Sequence, residues 1–187
     1  MPRIRHQLPN GLSLLRLILA PVLLTLAWLG QADAFLVVLV VAFATDAADG
    51  FLARRFGVTS ERGARLDSYA DLATWCVLVP SVWLLRPDFV EAELGWITLA
   101  ASGLLAAGVV AFIRFGRLPS YHTWGAKLAA ISLAGALVAV LAGSPAWPLQ
   151  VATLVAFFSQ IEEIAISVVL ERPRTDVRSL WHAARLR

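Results

Sequence analysis

Cysteine occurs once in this 187-residue sequence, at Cys76, within an apolar run. A single thiol excludes an intrachain disulfide framework and a thiolate metal cluster, and Cys76 reads as a small core residue. Charge is also scarce: Asp, Glu, Lys and Arg make up 16% of the residues, against an apolar share of 59%. Soluble domains run nearer about 25% charged and 45–50% apolar, so this composition argues against a globule that folds in water alone. No linker, internal repeat or low-complexity stretch divides the chain, which reads as a single domain over residues 1–187. His122 has no companion at metal-ligand spacing and reads as a polar loop contact. The net charge is +3. The basic residues lie between apolar runs and form no continuous patch, so they speak of membrane topology and not of nucleic acid.

What the sequence does have is long apolar runs. Each hydrocarbon crossing needs about 20 largely apolar residues. Six such runs lie near 11–30, 34–56, 63–85, 93–115, 125–143 and 147–170. The expectation is an all-α membrane protein of six transmembrane helices. A short interfacial segment (1–10) precedes them and a polar tail (171–187) follows. In that tail Leu180, Trp181, Ala184 and Val177 fall near helical spacing, as in a helix lying on the membrane or a plain soluble helix end. Arg3, Arg5, Arg54, Arg55, Arg62, Arg65, Arg114, Arg117, Lys127 and the tail arginines share one side, while Arg86 stands on the other. The positive-inside rule makes the basic side cytoplasmic, with both termini on it, as in a bacterial inner or plasma membrane. Trp28, Trp83, Trp96 and Trp147 fall near the opposite span ends, where an aromatic belt is expected. The first run is followed by Ala32-Asp33-Ala34, which mimics a cleavage site. It is long and contains Arg16, so it reads as a retained span.

Charged groups inside spans are costly and mark function. The second and third spans hold four: Asp46, Asp49, Asp67 and Asp71. Asp46, Asp49, Gly50 and Ala53 stand at i, i+3, i+4 and i+7, and Gly63, Asp67 and Asp71 recur every four residues. Each set shares one helical face. The short loop around Gly57 to Ser60 predicts an antiparallel pair of helices. Asp49 and Asp67 then lie at one level, with Asp46 and Asp71 one turn, roughly 5 Å, deeper. Four carboxylates in low dielectric repel unless protonated or neutralised. Oxygen-only ligands favour Mg²⁺ or Mn²⁺, and two such ions suit four carboxylates and a diphosphate. Gly50 and Ala53 leave room for a ligand to approach the backbone. Arg54, near the cytoplasmic end, is placed to bind a phosphate bidentately. A proton or ion relay, as in a small cation- or proton-coupled transporter, is the other reading of such acids. It gives no reason for Gly50, Ala53 and Arg54 beside them.

Asp46-Ala-Ala-Asp49-Gly50-Phe-Leu-Ala53-Arg54, followed after eight residues by Gly63-Ala-Arg-Leu-Asp67-Ser-Tyr-Ala-Asp71, resembles the signature of the CDP-alcohol phosphatidyltransferase family. Every fixed position of D-x-x-D-G-x-x-A-R and G-x-x-x-D-x-x-x-D is present. The resemblance implies a six-span fold, commonly homodimeric, with a polar active-site cavity open to the cytoplasm. It implies that Asp46, Asp49 and Asp67 hold two divalent cations, and that Asp71 completes the metal site and serves as general base. It assigns Gly50, Ala53, Arg54, Ser60 and Gly63 to the CDP-lipid site. The expected substrates are CDP-diacylglycerol and a small alcohol.

Pro9-Asn10-Gly-Leu-Ser13-Leu-Leu-Arg16 resembles the opening of the phosphatidylglycerophosphate and cardiolipin synthases within that family. There Pro9-Asn10 is read as the start of a helix, and Arg16 either reaches an interior phosphate or carboxylate or snorkels to the interface. Arg114, Arg117 and Lys127 form a second cationic set, suited to a phosphorylated acceptor such as glycerol 3-phosphate or to lipid headgroups. The stretch Gly125-Ala126-Lys127 with Ala130 differs from the Gly-Lys-x-x-Thr pattern of phosphatidylglycerophosphate synthases. Cardiolipin and phosphatidylinositol-phosphate synthesis stay open as alternatives. Glu162 and Glu163 are expected to turn at least one carboxylate inward, toward Lys127 or Arg114.

Overall fold

The computed structural model describes residues 2–56, 61–116, 121, 123–174 and 177–185; side chains at 2–10, 49–56, 61–65, 67–68, 71–72 and 75 lie outside that description. The chain is helical in two compact units, Met1–Glu91 and Ala92–Arg187. The first holds α1 (Pro2–Trp28), α2 (Ala32–Phe56) and α3 (Glu61–Leu85), followed by a short α4 (Pro87–Ala92). The second holds α5 (Leu94–Phe115), α6 (Trp124–Leu141), α7 (Trp147–Val169) and α8 (Leu180–Arg185). Five of the six expected runs match a helix to within about three residues at either end. The first differs more. α1 runs unbroken from Pro2, so no break separates the 1–10 segment from the span, and Pro9 does not open the helix. Proline's fixed φ is itself helical, but inside a helix it removes one backbone hydrogen bond and its ring crowds the carbonyl four residues before.

Among the described residues, four helices are long and apolar enough to cross a membrane: Gly11–Trp28 of α1, then α5, α6 and α7. Helices α2 and α3 have 25 residues each, or roughly 37 Å at 1.5 Å per residue. Their charges near the connecting loop set them apart, while Cys76–Leu85 of α3 is apolar. The protein is an integral membrane protein turned inside out in composition. Leu14, Ile18, Val22, Val37 and Val40 are exposed, as are Leu104, Leu105 and Ile113.

In the first unit α1 packs against both α2 and α3. Its buried positions are Ser13, Arg16, Ala20, Leu23 and Ala27, a 3-4-3-4 spacing that makes a single stripe. Phe35, Leu39 and Ala42 form the matching stripe on α2, and Ala70, Thr74, Leu78 and Val82 that on α3. Alanines recur because lipid is as apolar as leucine. Helices in a bilayer associate through close packing, which small residues permit. Gly30, at φ 67°, ends α1 in a left-handed residue. Its amide bonds Ala27 O at 3.0 Å and the Gln31 amide bonds Leu26 O at 2.9 Å. That pair of bonds closes the helix end and turns the chain into α2. Cys76 is exposed and not in the core; it lies off the buried stripe of α3.

In the second unit α7 is the hub, packed against α5, α6 and α8. Gly103, Ala107 and Ala111 repeat every four residues along α5. A Cβ at Gly103 would overlap Gln160 Oε1, so the two helices approach where the side chain is absent. Near the start of α5, Glu93 is buried and accepts from Gln150 Nε2 at 3.0 and 3.2 Å. That contact ties α5 to the first turn of α7.

Candidate active site

The acidic signature falls on uninterrupted helix. Asp46, Asp49, Gly50 and Ala53 lie within α2, and Gly63, Asp67 and Asp71 within α3. The expected i, i+3, i+4, i+7 and i+4, i+8 registers therefore hold at the level of the backbone. On α2 the buried stripe Phe35, Leu39, Ala42 continues at the same 4-3 spacing to positions 46, 49 and 53. On α3 Ala70, Thr74 and Leu78 continue backwards to positions 67 and 63. The packing stripe thus becomes the acidic stripe as α2 nears Phe56 and α3 nears Glu61. Ser60 lies outside the described residues. The side chains of Asp49, Gly50, Ala53, Arg54, Gly63, Asp67 and Asp71 lie outside the description too, as does any direct pairing of α2 with α3 there.

Asp46 is the one carboxylate of the four whose surroundings are described. Its Oδ1 lies 2.6 Å from Arg16 Nη1. The pair is lopsided: the Arg16 side chain is 3% exposed and that of Asp46 54%. A guanidinium taken so far out of water needs compensating negative charge, and α1 delivers it there because Arg16 continues the Ser13–Ala27 stripe. Of the two readings of Arg16, reaching an interior carboxylate is the one realised. Thr45, next to Asp46, turns its hydroxyl onto Ala42 O at 2.8 Å. The Asp46 side chain is about half exposed, which suits a ligand for a hard cation. Among the described residues no group of three or more His, Cys, Asp or Glu is assembled to hold a metal.

In the second unit, Arg114 and Lys127 have local partners. Arg114 Nε donates to Leu170 O at 3.3 Å, capping the end of α7. Lys127 Nζ sits 4.9 Å from the centre of the Trp124 ring, a cation–π contact. Arg117 and His122 lie outside the described residues. Glu162 does turn inward, but neither Lys127 nor Arg114 meets it: its Oε1 accepts from the Leu180 backbone N–H at 3.0 Å. That is the work of an N-cap, done from a neighbouring helix.

The family profile described as CDP-alcohol phosphatidyltransferase matches residues 6–168. The chain belongs to this family. The match takes in Arg16, all four signature aspartates and Lys127, and it stops short of α8. Among curated relatives, an enzyme of Rickettsia prowazekii named CDP-diacylglycerol–glycerol-3-phosphate 3-phosphatidyltransferase is 30% identical over 115 residues, covering 59% of this chain and 61% of that protein. A Salmonella choleraesuis protein of the same name is 34% identical over 109 residues, covering 57% of each. A Yersinia pestis protein, again of that name, is 31% identical over 146 residues, covering 72% of this chain and 76% of the other. The matched stretches thus span about three-fifths of the first two relatives and about three-quarters of the third. No solved structure matches.

Sequence reasoning missed one feature of this phosphatidyltransferase family member, a polar buttress at the end of α7. Tyr121 is buried, and its hydroxyl lies 3.2 Å from Ser167 Oγ. Burial pushes the phenol above its usual range, against a smaller opposing effect of the Ser167 bond, so it stays neutral. Tyr121 packs with Ile166, Leu170, Val177 and Ala183, which folds the tail back onto α7. Val177 and Ala183 are the tail's buried residues, while Leu180, Trp181 and Ala184 face outward. The usable signal was Thr123, an N-cap whose hydroxyl accepts from the Ala126 N–H at 2.9 Å.

Proposed function

We propose that the protein transfers the phosphatidyl group of CDP-diacylglycerol to glycerol 3-phosphate, forming phosphatidylglycerophosphate and releasing CMP. The observation that carries this reading is the complete acidic signature on two continuous helices, in a chain similar to relatives named for that reaction. The finer architecture belongs to the same proposal. α2 and α3 would complete six spans in one domain, both termini would be cytoplasmic, and the acids would line a polar cavity open to that side. The active form would be a homodimer.

The donor set of Asp46, Asp49, Asp67 and Asp71 consists of oxygen ligands only, and half-exposed Asp46 fits a hard cation. Two Mg²⁺ or Mn²⁺ ions would supply charge neutralisation at the diphosphate when bound. The chain's own residues would do the rest. Gly50, Ala53 and Gly63 leave space for the CDP moiety, and Arg54 and Ser60 donate to it. Asp71 accepts the proton of the acceptor hydroxyl. That oxygen forms a bond to the phosphorus bearing diacylglycerol, and the bond from phosphorus to the CMP oxygen breaks. Arg16, Arg114, Arg117 and Lys127 are the candidates for the acceptor phosphate, and Arg16 also holds Asp46 in place.

The test is an acceptor screen on the purified protein in micelles. CMP release and lipid product are followed with glycerol 3-phosphate, inositol phosphate and phosphatidylglycerol. Turnover with glycerol 3-phosphate alone is expected. Product from either of the others instead would reassign the acceptor and leave the chemistry standing. Metal-driven ion flux without CMP release would refute both.

A further inference from the structure

Beyond the acidic stripe, the second unit holds an open cleft of about 670 Å³ where α6 begins beside α8. Three cations line it: Lys127, Arg178 and Arg185. Among the described residues none of them has a carboxylate within ion-pair distance. Like charges gathered in one groove repel one another, and an anion from outside relieves that repulsion. Glu162, the nearby acid on α7, is engaged with the Leu180 amide.

The cleft is built rather than accidental. The Trp124 N–H donates to Arg178 O at 3.1 Å, joining α6 to the tail. The Arg178 N–H donates to His182 Nδ1 at 3.4 Å. Ser179 caps α8 by accepting from the His182 N–H at 3.2 Å. Val177 and Ala183 anchor the segment against α7 with no exposure at all. The cations are held in place as well: the Arg185 guanidinium stacks 3.4 Å from the centre of the Trp181 ring, and Lys127 lies over Trp124. Both indoles are about two-thirds exposed, at 67% and 66%.

Position then narrows the ligand. Trp124 is the first residue of one apolar span, and α7, on which the tail docks, ends another at Val169. The cleft therefore sits where two spans leave the hydrocarbon, at the depth of lipid headgroups. Exposed tryptophans beside lysine and arginine suit that layer. We propose that this cleft binds a phosphate-bearing anion at headgroup depth, with arginine forks and the Lys127 ammonium as donors. The cleft shares Lys127 with the acceptor-phosphate candidates, so the inference rests on Arg178 and Arg185, which lie beyond the residues matched by the family profile.

The test uses the full chain labelled with 5-fluorotryptophan in phosphatidylcholine nanodiscs. The Trp124 and Trp181 resonances are assigned from Trp124→Phe and Trp181→Phe. One arm raises the phosphatidylglycerol fraction and the other adds inorganic phosphate to the buffer. Saturable shifts of both resonances are expected. If they follow phosphatidylglycerol alone, the source is a lipid headgroup; if phosphate reproduces them, it is a free anion. Arg178→Gln with Arg185→Gln should weaken binding roughly 30-fold, taking about fivefold for each cation near an anionic surface. Arg172→Gln with Arg174→Gln removes the same charge from tail residues outside the cleft and should weaken it little. Equal weakening by both pairs would mean diffuse attraction and would overturn the site, as would the absence of a saturable shift with either probe.

Discussion

The Arg16–Asp46 pair predicts an asymmetry that can be measured without substrate or metal. Asp46→Asn leaves a guanidinium that is 3% exposed facing a neutral amide. Removing one partner from a buried charge costs about 3–5 kcal/mol. Arg16→Met instead leaves a carboxylate whose side chain is 54% exposed. That group is far less enclosed than the guanidinium, so the loss should resemble a surface pair, about 0.2–1 kcal/mol. The aspartate substitution should therefore be the costlier by about 2–4 kcal/mol. The double variant should recover most of the Asp46→Asn loss, giving a coupling of about 3 kcal/mol. Both residues make further contacts; those that are independent of the pair cancel from the coupling term. Unfolding is followed in mixed micelles by titration with denaturing detergent, with EDTA present to keep cations off Asp46. Equal losses from the two single variants, or a coupling below about 0.5 kcal/mol, would refute the reasoning.

The other predictions address the acids and the tail. Activity should vanish in EDTA and return with Mg²⁺ or Mn²⁺, and Asp49→Asn should lose metal-supported binding of a CDP-lipid analogue in calorimetry; full turnover in EDTA sinks the metal reading. Asp71→Asn should lower kcat by roughly 10²–10⁴-fold, the range of a general base, while CDP-lipid binding falls less than in Asp49→Asn; equal loss of binding would make Asp71 chiefly a ligand. Glu162→Ala removes the acceptor for the Leu180 amide, so the docking of α8 should weaken by about 0.5–2 kcal/mol, as for a lost cap. Limited trypsin digestion should then cut at Arg178 and Arg185 faster, and unchanged cleavage would show that the contact does not hold the tail.

Much of the fold is legible because a span must be long and continuously apolar, which a sequence displays directly. The fourth span, expected at 93–115, is α5 at Leu94–Phe115, and the sixth, expected at 147–170, is α7 at Trp147–Val169. The acidic registers are legible for a related reason. Charge inside an apolar run stands out, and its spacing reports a helical face whether or not the partner is known. Arg16 was legible only in part. Its place within a span pointed to an interior phosphate or carboxylate or to snorkelling, and nothing in α1 alone selects Asp46.

The failures share a cause. In water, hydrophobicity separates inside from outside; in lipid it does not, and the informative quantity becomes side-chain size. In the tail the expected set divides: small Val177 is buried with Ala183, while Leu180 and Trp181 stay exposed, as on a helix lying at the membrane surface. Cys76 follows the same logic: apolar surroundings made it look internal, yet Thr74 and Leu78 take the inward positions around it and it is exposed. Glu162 shows a second limit. Pairing charges along a sequence leads to Lys127 or Arg114, yet the partner used is a backbone amide at a helix start. Every helix start supplies such donors without marking them in its side chains. A carboxylate one helix away can satisfy them at no cost to a nearby lysine, which is why Lys127 remains available for the anion-binding cleft.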